Sequence, residues 1–235
     1  MHRFYISDTS LGEKNITVEN IEIHHQISKV FRGKQWDRYI FFDGKISVDY
    51  EYEVQEISRT SLTFLLIGQK EKVFHEKGIR LYQWLPNKWE KIEYIVQKWV
   101  EVGIHEFHFF RSQLAQKLFV NDSKIERIKK IAIEAIEQSG RNIVPKICFY
   151  ESRKEMFFWT EQKILFHHIF DVWVKSLKDC LFLDDVSIFV GPEGGWSPEE
   201  VMYFSSLNCQ KVYFWEAILR CETVSSVSAF YIQQV

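Results

Sequence analysis

Between residues 39 and 67 hydrophobic and polar positions alternate. Ile46, Val48, Tyr50, Tyr52 and Val54 take turns with Ser47, Asp49, Glu51 and Glu53, the period of two that a half-buried β-strand requires, because successive side chains point to opposite faces. Asp43-Gly44 separates this run from Tyr39-Ile40-Phe41-Phe42. That dipeptide predicts a hairpin, since both turn positions favour positive φ. A third apolar run covers Leu62 to Ile67, and Ile21 to Phe31 predicts a short helix. Together they predict a small β-rich domain over residues 1–72.

Beyond residue 72 the pattern becomes strands alternating with helices. Strands are expected at Ile79–Trp84, Ile104–Phe109, Lys163–His167, Val186–Val190 and Lys211–Trp215. Asn87 to Val102 predicts a helix, with Asn87 and Glu90 at capping-box spacing, Trp89, Ile92, Val96 and Trp99 on one face, and Gly103 beyond its end. Ser123 and Glu126 predict a second capping box, opening a helix that stops at Gly140. Such alternation favours a mostly parallel sheet covered on both faces, because parallel neighbours need crossover connections. Residues 73–235 are therefore expected to form an α/β domain.

Composition excludes more than it identifies. With 46% hydrophobic and 26% charged residues among 235, the chain is neither disordered nor fibrous. Thirty Lys and Arg against 32 Asp and Glu leave a net charge of −2, so any nucleic-acid binding must be local. The four cysteines form no CxxC pair, and His24-His25 and His167-His168 are adjacent pairs whose side chains would diverge on a strand. No metal site is expected. No basic segment precedes an apolar run at the amino end, and nowhere do eighteen apolar residues follow one another. A soluble, cytoplasmic chain without a membrane segment is the reading.

Three stretches carry candidate chemistry. The chain has 10 Gly and 4 Pro, yet Gly191-Pro192-Glu193-Gly194-Gly195-Trp196-Ser197-Pro198 gathers three and two of them. Ser197, Pro198 and Glu200 then supply an N-cap, a first-turn proline and a capping-box glutamate. A glycine loop at the carboxyl end of a parallel strand is where open α/β sheets bind ligands, though alone it serves equally as a tight connection. It lacks the lysine and spacing of a P-loop and the GxGxxG of a dinucleotide fold. The second stretch, Phe214 to Thr223, places Arg220 and Glu222 ahead of a helical candidate, Val224 to Ile232; a surface ion pair is the alternative for these two. In the third, Glu137 to Asn142, polar residues crowd a helix end beyond the needs of a C-cap, with a solvated helix end as the alternative.

In order and spacing these stretches resemble the ribosomal RNA small subunit methyltransferase E family, of the SPOUT class. The resemblance covers almost the whole chain and is carried by His25–Arg32, Asp43-Gly44, Gln97–Gly103, Glu137–Arg141, Gly191–Gly195 and Ile218–Thr223. It implies a PUA-like, small β-barrel RNA-binding domain, then an α/β domain whose C-terminal segment threads a trefoil knot. It also implies a homodimer, S-adenosylmethionine as methyl donor, and N3-methyluridine in 16S rRNA as product.

Carried over by position, the resemblance gives three cofactor-binding groups. These are Leu165, Phe166 and His167; Val190, Gly191, Glu193, Gly194 and Gly195; and Phe214, Trp215, Ile218, Leu219, Arg220, Cys221 and Thr223. Arg141 and Arg220 are the catalytic candidates, because a guanidinium would stabilise charge on the uracil carbonyls after loss of the N3 proton. Glu193 and Glu222 are candidate bases. Arg3, Lys29, Arg32, Lys34, Arg38 and Arg111 would hold RNA through its phosphates. The chain departs from the family pattern in its last loop, with Trp215 for Gly, Ala217 for Arg, Cys221 for Thr and Val224 for Ala, changes that bear on cofactor affinity. Two further readings stay open: an RNA-binding ribosome-assembly factor that keeps the fold without methyl transfer, and a SPOUT enzyme acting on a ribose hydroxyl or another base.

Overall fold

In the computed structural model, which describes residues 1–7, 10–74, 76–111, 118–151, 162–167, 174–214 and 217–235, the chain divides into two units. One comprises residues 1–74 with 136–144, the other residues 75–135 with 145–235.

The first unit is a mixed five-stranded sheet. Its strands are β1 (Arg3–Tyr5), β2 (Asn15–Val18), β3 (Arg38–Phe42), β4 (Val48–Ile57) and β5 (Leu62–Glu71), in the order β1-β3-β4-β5-β2. A short helix, α1 (Ile21–His25), is capped by the Asn20 side chain and continues as one wider turn to Val30. Gly44 takes φ +73°, and the Asp43 carboxylate accepts from the amides of Lys45 and Ile46, so the turn between β3 and β4 forms where Asp-Gly places it. One face of the sheet buries Phe41, Tyr52, Val54 and Phe64 against Ile23 and Ile27.

The expected polar face of β4 is not uniformly solvated. Asp49 is buried, accepting from the Arg3 guanidinium, from Lys72 Nζ at 2.9 Å and from Asn142 Nδ2 at 2.7 Å. Ile46, assigned to the strand by alternation, precedes it and is exposed. Arg3 also donates to the Arg141 carbonyl (2.9 Å), Lys72 to the Gly140 carbonyl (2.6 Å), and the Tyr5 amide to Glu137 Oε1 (2.8 Å). The 136–144 segment therefore covers that face, which no local pattern could announce.

The second unit is a seven-stranded, all-parallel sheet. It contains β6 (Gly78–Trp84), β7 (Glu106–Phe110), β8 (Lys146–Tyr150), β9 (Gln162–Phe166), β10 (Lys175–Ser176), β11 (Asp185–Val190) and β12 (Gln210–Tyr213), in the order β10-β12-β9-β11-β6-β7-β8. Its helices are α2 (Trp89–Glu101), α3 (Asp122–Ser139, whose last turn belongs to the first unit), α4 (Pro198–Ser206) and α5 (Cys221–Gln234). Ile92, Ile95, Val96 and Trp99 form the buried stripe of α2.

Two caps differ from expectation. Lys88, not Asn87, occupies the cap position of α2, without a side-chain bond, because Asn87 lies one residue too far out. The α3 cap is Asn121, whose side chain accepts from the Lys124 amide at 3.0 Å, ahead of the expected Ser123. The capping box of α4 forms as its sequence predicts, with Ser197 and Glu200 each accepting from the other's backbone amide. Because all the strands run in parallel, the segments that leave β9, β11 and β12 emerge at one edge of the sheet.

Candidate functional site

A cavity of about 340 Å³ opens at that edge. Phe166 and His167 come from the end of β9, Val190 ends β11 and Gly191 to Trp196 follow it, and Phe214, Ala217 to Cys221 and Val224 complete the wall ahead of and within α5. The structure thus gathers Phe166, His167, Val190, Gly191, Glu193, Gly194, Gly195, Phe214, Ile218, Leu219, Arg220 and Cys221 around one space. Leu165 does not line it, being buried in the core with Tyr82, Trp84 and Phe189. Thr223 is exposed on the first turn of α5 and is also absent from the lining. Trp215 and His168 lie outside the described residues.

The loop's shape follows from its glycines. The Gly195 amide donates to the Pro192 carbonyl at 2.9 Å, and Gly195 takes φ +71°, a conformation costly for residues with a Cβ. A Cβ on Gly191 would stand 3.1 Å from the Trp196 ring, whereas one on Gly194 would meet open space. Trp196, which sequence reasoning read only as part of the loop, packs edge-on against Trp84 at 4.8 Å.

Gln83, a fully buried polar side chain of β6, holds the loop's entry. Its buried amide donates to the Trp84 carbonyl at 2.9 Å and to the Val190 carbonyl at 3.3 Å, and accepts from Ser225 Oγ of α5 at 2.7 Å. Lys91, on the polar side of α2, is a second residue with no advance signal. Its Nζ lies 2.6 Å from Glu193 Oε1 and 3.6 Å from Glu222 Oε2, so one ammonium joins the glycine loop to the start of α5. Burial tends to raise the Glu193 carboxyl, but Lys91 and the backbone amides of Glu193 and Asn87 outweigh it and hold it below its ordinary range. Burial pushes the Cys221 thiol up to about 12, with Glu222 accepting its hydrogen. Glu193 is consequently a weak base and Cys221 a neutral thiol at physiological pH.

The remaining expected residues distribute differently. Arg220 is exposed, occupies the cap position of α5 without a side-chain bond, and lines the cavity. The Arg141 guanidinium lies over the Phe74 ring at 5.2 Å. Lys29, Arg32, Lys34 and Arg38 are exposed, Arg38 standing 3.6 Å from Glu53. Arg111 lies 3.3 Å from Glu151. Arg3 belongs to the Asp49 cluster with a side chain only 9% exposed, which leaves it little surface to offer RNA. Among the described residues no group of three or more His, Cys, Asp and Glu is placed to hold a metal ion, and no helix is long and apolar enough to cross a membrane.

Comparison with known proteins identifies the family. The profile of the RNA methyltransferase domain family matches residues 75–233. Ribosomal RNA small subunit methyltransferase E 2 of Borreliella burgdorferi is 28% identical, over 99% of this chain and 97% of its own. Ribosomal RNA small subunit methyltransferase E of Bacillus subtilis is 28% identical, over 95% of this chain and 92% of its own. Among solved structures, a ribosomal RNA small subunit methyltransferase E from Neisseria gonorrhoeae, bound to S-adenosylmethionine, superposes with a TM-score of 0.86. It is 22% identical, covering 100% of this chain and 97% of that one.

Proposed function

Because the chain belongs to the RNA methyltransferase domain family, we propose that it transfers a methyl group from S-adenosylmethionine to N3 of a uridine in 16S rRNA, acting in the cytoplasm as a homodimer on the RNA of the small ribosomal subunit. The observation that carries this reading is the convergence of the glycine loop, the end of β9 and the 217–221 segment on one cavity. Relatives aligned over nearly their whole length and named as ribosomal RNA small subunit methyltransferases support the class of substrate. The order of the elements supports a C-terminal knot, since β12 lies between β10 and β9 and α5 after it packs on α2. The β-rich first unit is assigned as the PUA-like RNA-binding domain.

The residues present fit the donor. The cavity is of small-molecule size, Gly194 leaves open space beside its backbone, and Ile218, 81% exposed at the cavity wall, is an apolar surface suited to covering by a ligand. S-adenosylmethionine, when bound, supplies a methyl group already activated on a sulfonium. Phe166, Val190 and Leu219 offer apolar surface for an adenine, and the glycine-loop amides and carbonyls offer hydrogen bonds to polar edges. Arg220 and Arg141 are the candidates for stabilising the negative charge that develops on the uracil carbonyls, Arg141 by way of a homodimer in which the 137–141 helix end faces the cofactor site of the partner subunit. Glu193, held ionised by Lys91, anchors the loop, and the N3 proton is assigned to water.

Calorimetric titration tests the donor assignment. S-adenosylmethionine should bind the wild-type chain, and weakening by Arg220→Ala should be seen in the same titration. Absence of binding would favour the assembly-factor reading, for which Trp215 and Ala217 are the motive, Ala217 lying in the cavity wall.

A further inference from the structure

Every residue from Lys29 to Arg38 is exposed except Gly33. Within this basic run Trp36 is 59% exposed and takes φ +76°. A left-handed backbone crowds the Cβ of an L-residue, and a bulky side chain there persists only when its surroundings enforce it. The enforcement is visible. The Trp36 amide donates to the Val54 carbonyl at 2.8 Å, the Asp37 amide to the Lys34 carbonyl at 3.1 Å, and the Val54 amide to the Asp37 carbonyl at 2.9 Å. The Lys34 amide donates to Asp37 Oδ2 at 2.7 Å. A tight turn that suits glycine at its third position instead holds an indole out in water. No ring among the described residues lies against Trp36, and more than half of its side chain faces water.

The same run carries a second flat surface and spare charge. The exposed His2 ring stacks on Phe31 at 3.8 Å and 16°. Lys29, Arg32 and Lys34 have no ion-pair partner among the described residues, and Arg32 also takes a positive φ, +52°. An exposed π-face beside unpaired cations fits a single-stranded nucleic acid, whose bases are free to stack and whose phosphates need neutralising. Lysines are depleted at the cores of protein interfaces, which argues against a protein partner here.

We propose that the 34–37 turn is a nucleobase-stacking platform, in which Trp36 takes one unpaired base of the RNA while Lys29, Arg32 and Lys34 hold the adjacent phosphates. This rests on RNA being the partner of the chain. The full-length protein is titrated with a short, labelled, single-stranded oligoribonucleotide from small-subunit rRNA, and with the same sequence as a duplex. Trp36→Gly removes the ring and relieves the backbone, so its melting temperature should equal or exceed that of wild type. Its affinity for the single strand should fall about tenfold, with Trp36→Phe recovering most of the loss and duplex affinity unchanged. Equal single-strand affinity of Trp36→Gly and wild type overturns the platform alone, whereas a wild-type chain that binds neither strand overturns the RNA reading with it. A lost affinity that accompanies a lowered melting temperature, without rescue by Phe, reassigns Trp36 to folding and overturns the proposal. So does a changed oligomeric mass by light scattering with RNA affinity intact, which would make the surface a protein contact.

Discussion

The indole N–H of Trp196 donates to the carbonyl oxygen of Phe166 at 2.7 Å, tying the far end of the glycine loop to the end of β9 at the cavity wall. Trp196→Phe keeps a ring near Trp84 and Phe204 but removes the donor. Losing one such bond costs about 1 kcal/mol of stability. The larger expected effect is on S-adenosylmethionine, whose dissociation constant should rise as the loop loses its fixed position. Thermal unfolding and calorimetry together check this; an unchanged dissociation constant would show that the loop is held by other contacts.

Gly194 separates a binding role from a folding one. A methyl group there meets nothing within 4 Å in the folded chain, so Gly194→Ala should leave stability unchanged or raise it by about 0.4–1 kcal/mol, through reduced freedom of the unfolded chain. If the donor approaches this backbone, the same methyl group should weaken its binding. A variant as tight as wild type would move the ligand away from Gly194.

Asp49 gives the first unit a specific acid sensitivity. Burial works against its ionised form, but hydrogen bonds from Arg3, Lys72 and Asn142 more than compensate, and its pKa lies below the ordinary value. The sign follows: a carboxyl depressed by folding contributes fully above its unfolded pKa, about 3.9, and the contribution vanishes as pH falls through the folded value. Asp49→Asn leaves two cations without their counter-charge and should cost about 3–5 kcal/mol at neutral pH. Urea unfolding at about pH 7 and again near pH 3 should show a wide gap between wild type and variant that narrows in acid. A gap independent of pH would mean that Asp49 is not ionised in the folded chain.

Arg141 and Arg220 are expected to fail differently. A group that acts only on charge developing in the transition state affects turnover, whereas one that also shapes the cofactor wall affects the ground-state complex. Arg141→Ala should lower the single-turnover methylation rate, by roughly a hundredfold if it acts like an oxyanion-hole donor, with little change in cofactor affinity. Arg220 lines the cavity, so Arg220→Ala should weaken cofactor binding as well. The opposite pattern of effects would exchange the two roles.

The features legible in the sequence were those encoded by neighbouring residues. The Gly191–Gly195 loop and the Ser197-Glu200 capping box announce themselves by local chemistry, and both form where expected. Asp49 did not, because alternation says which residues share a face but not that the 136–144 segment returns to cover one of them. Lys91 reads as a solvated position on an amphipathic helix until Glu193 and Glu222 are brought to it from more than 100 residues away. Trp196 reads as loop filler, and its bond to Phe166 depends on the parallel neighbours β9 and β11 ending at the same edge. Trp36 carries no sequence signal of strain at all, since its positive φ is imposed by pairing with Val54 and Asp37's turn to Lys34.

The most direct test of the central claim is to incubate the purified chain with small ribosomal subunits that lack the modification and with S-adenosylmethionine carrying an isotope-labelled methyl group, then to digest the 16S rRNA to nucleosides for mass spectrometry. Label is expected in N3-methyluridine, and its appearance should be suppressed by Arg141→Ala. Label in a ribose-methylated nucleoside or another base, or no label despite confirmed donor binding, would contradict the assignment.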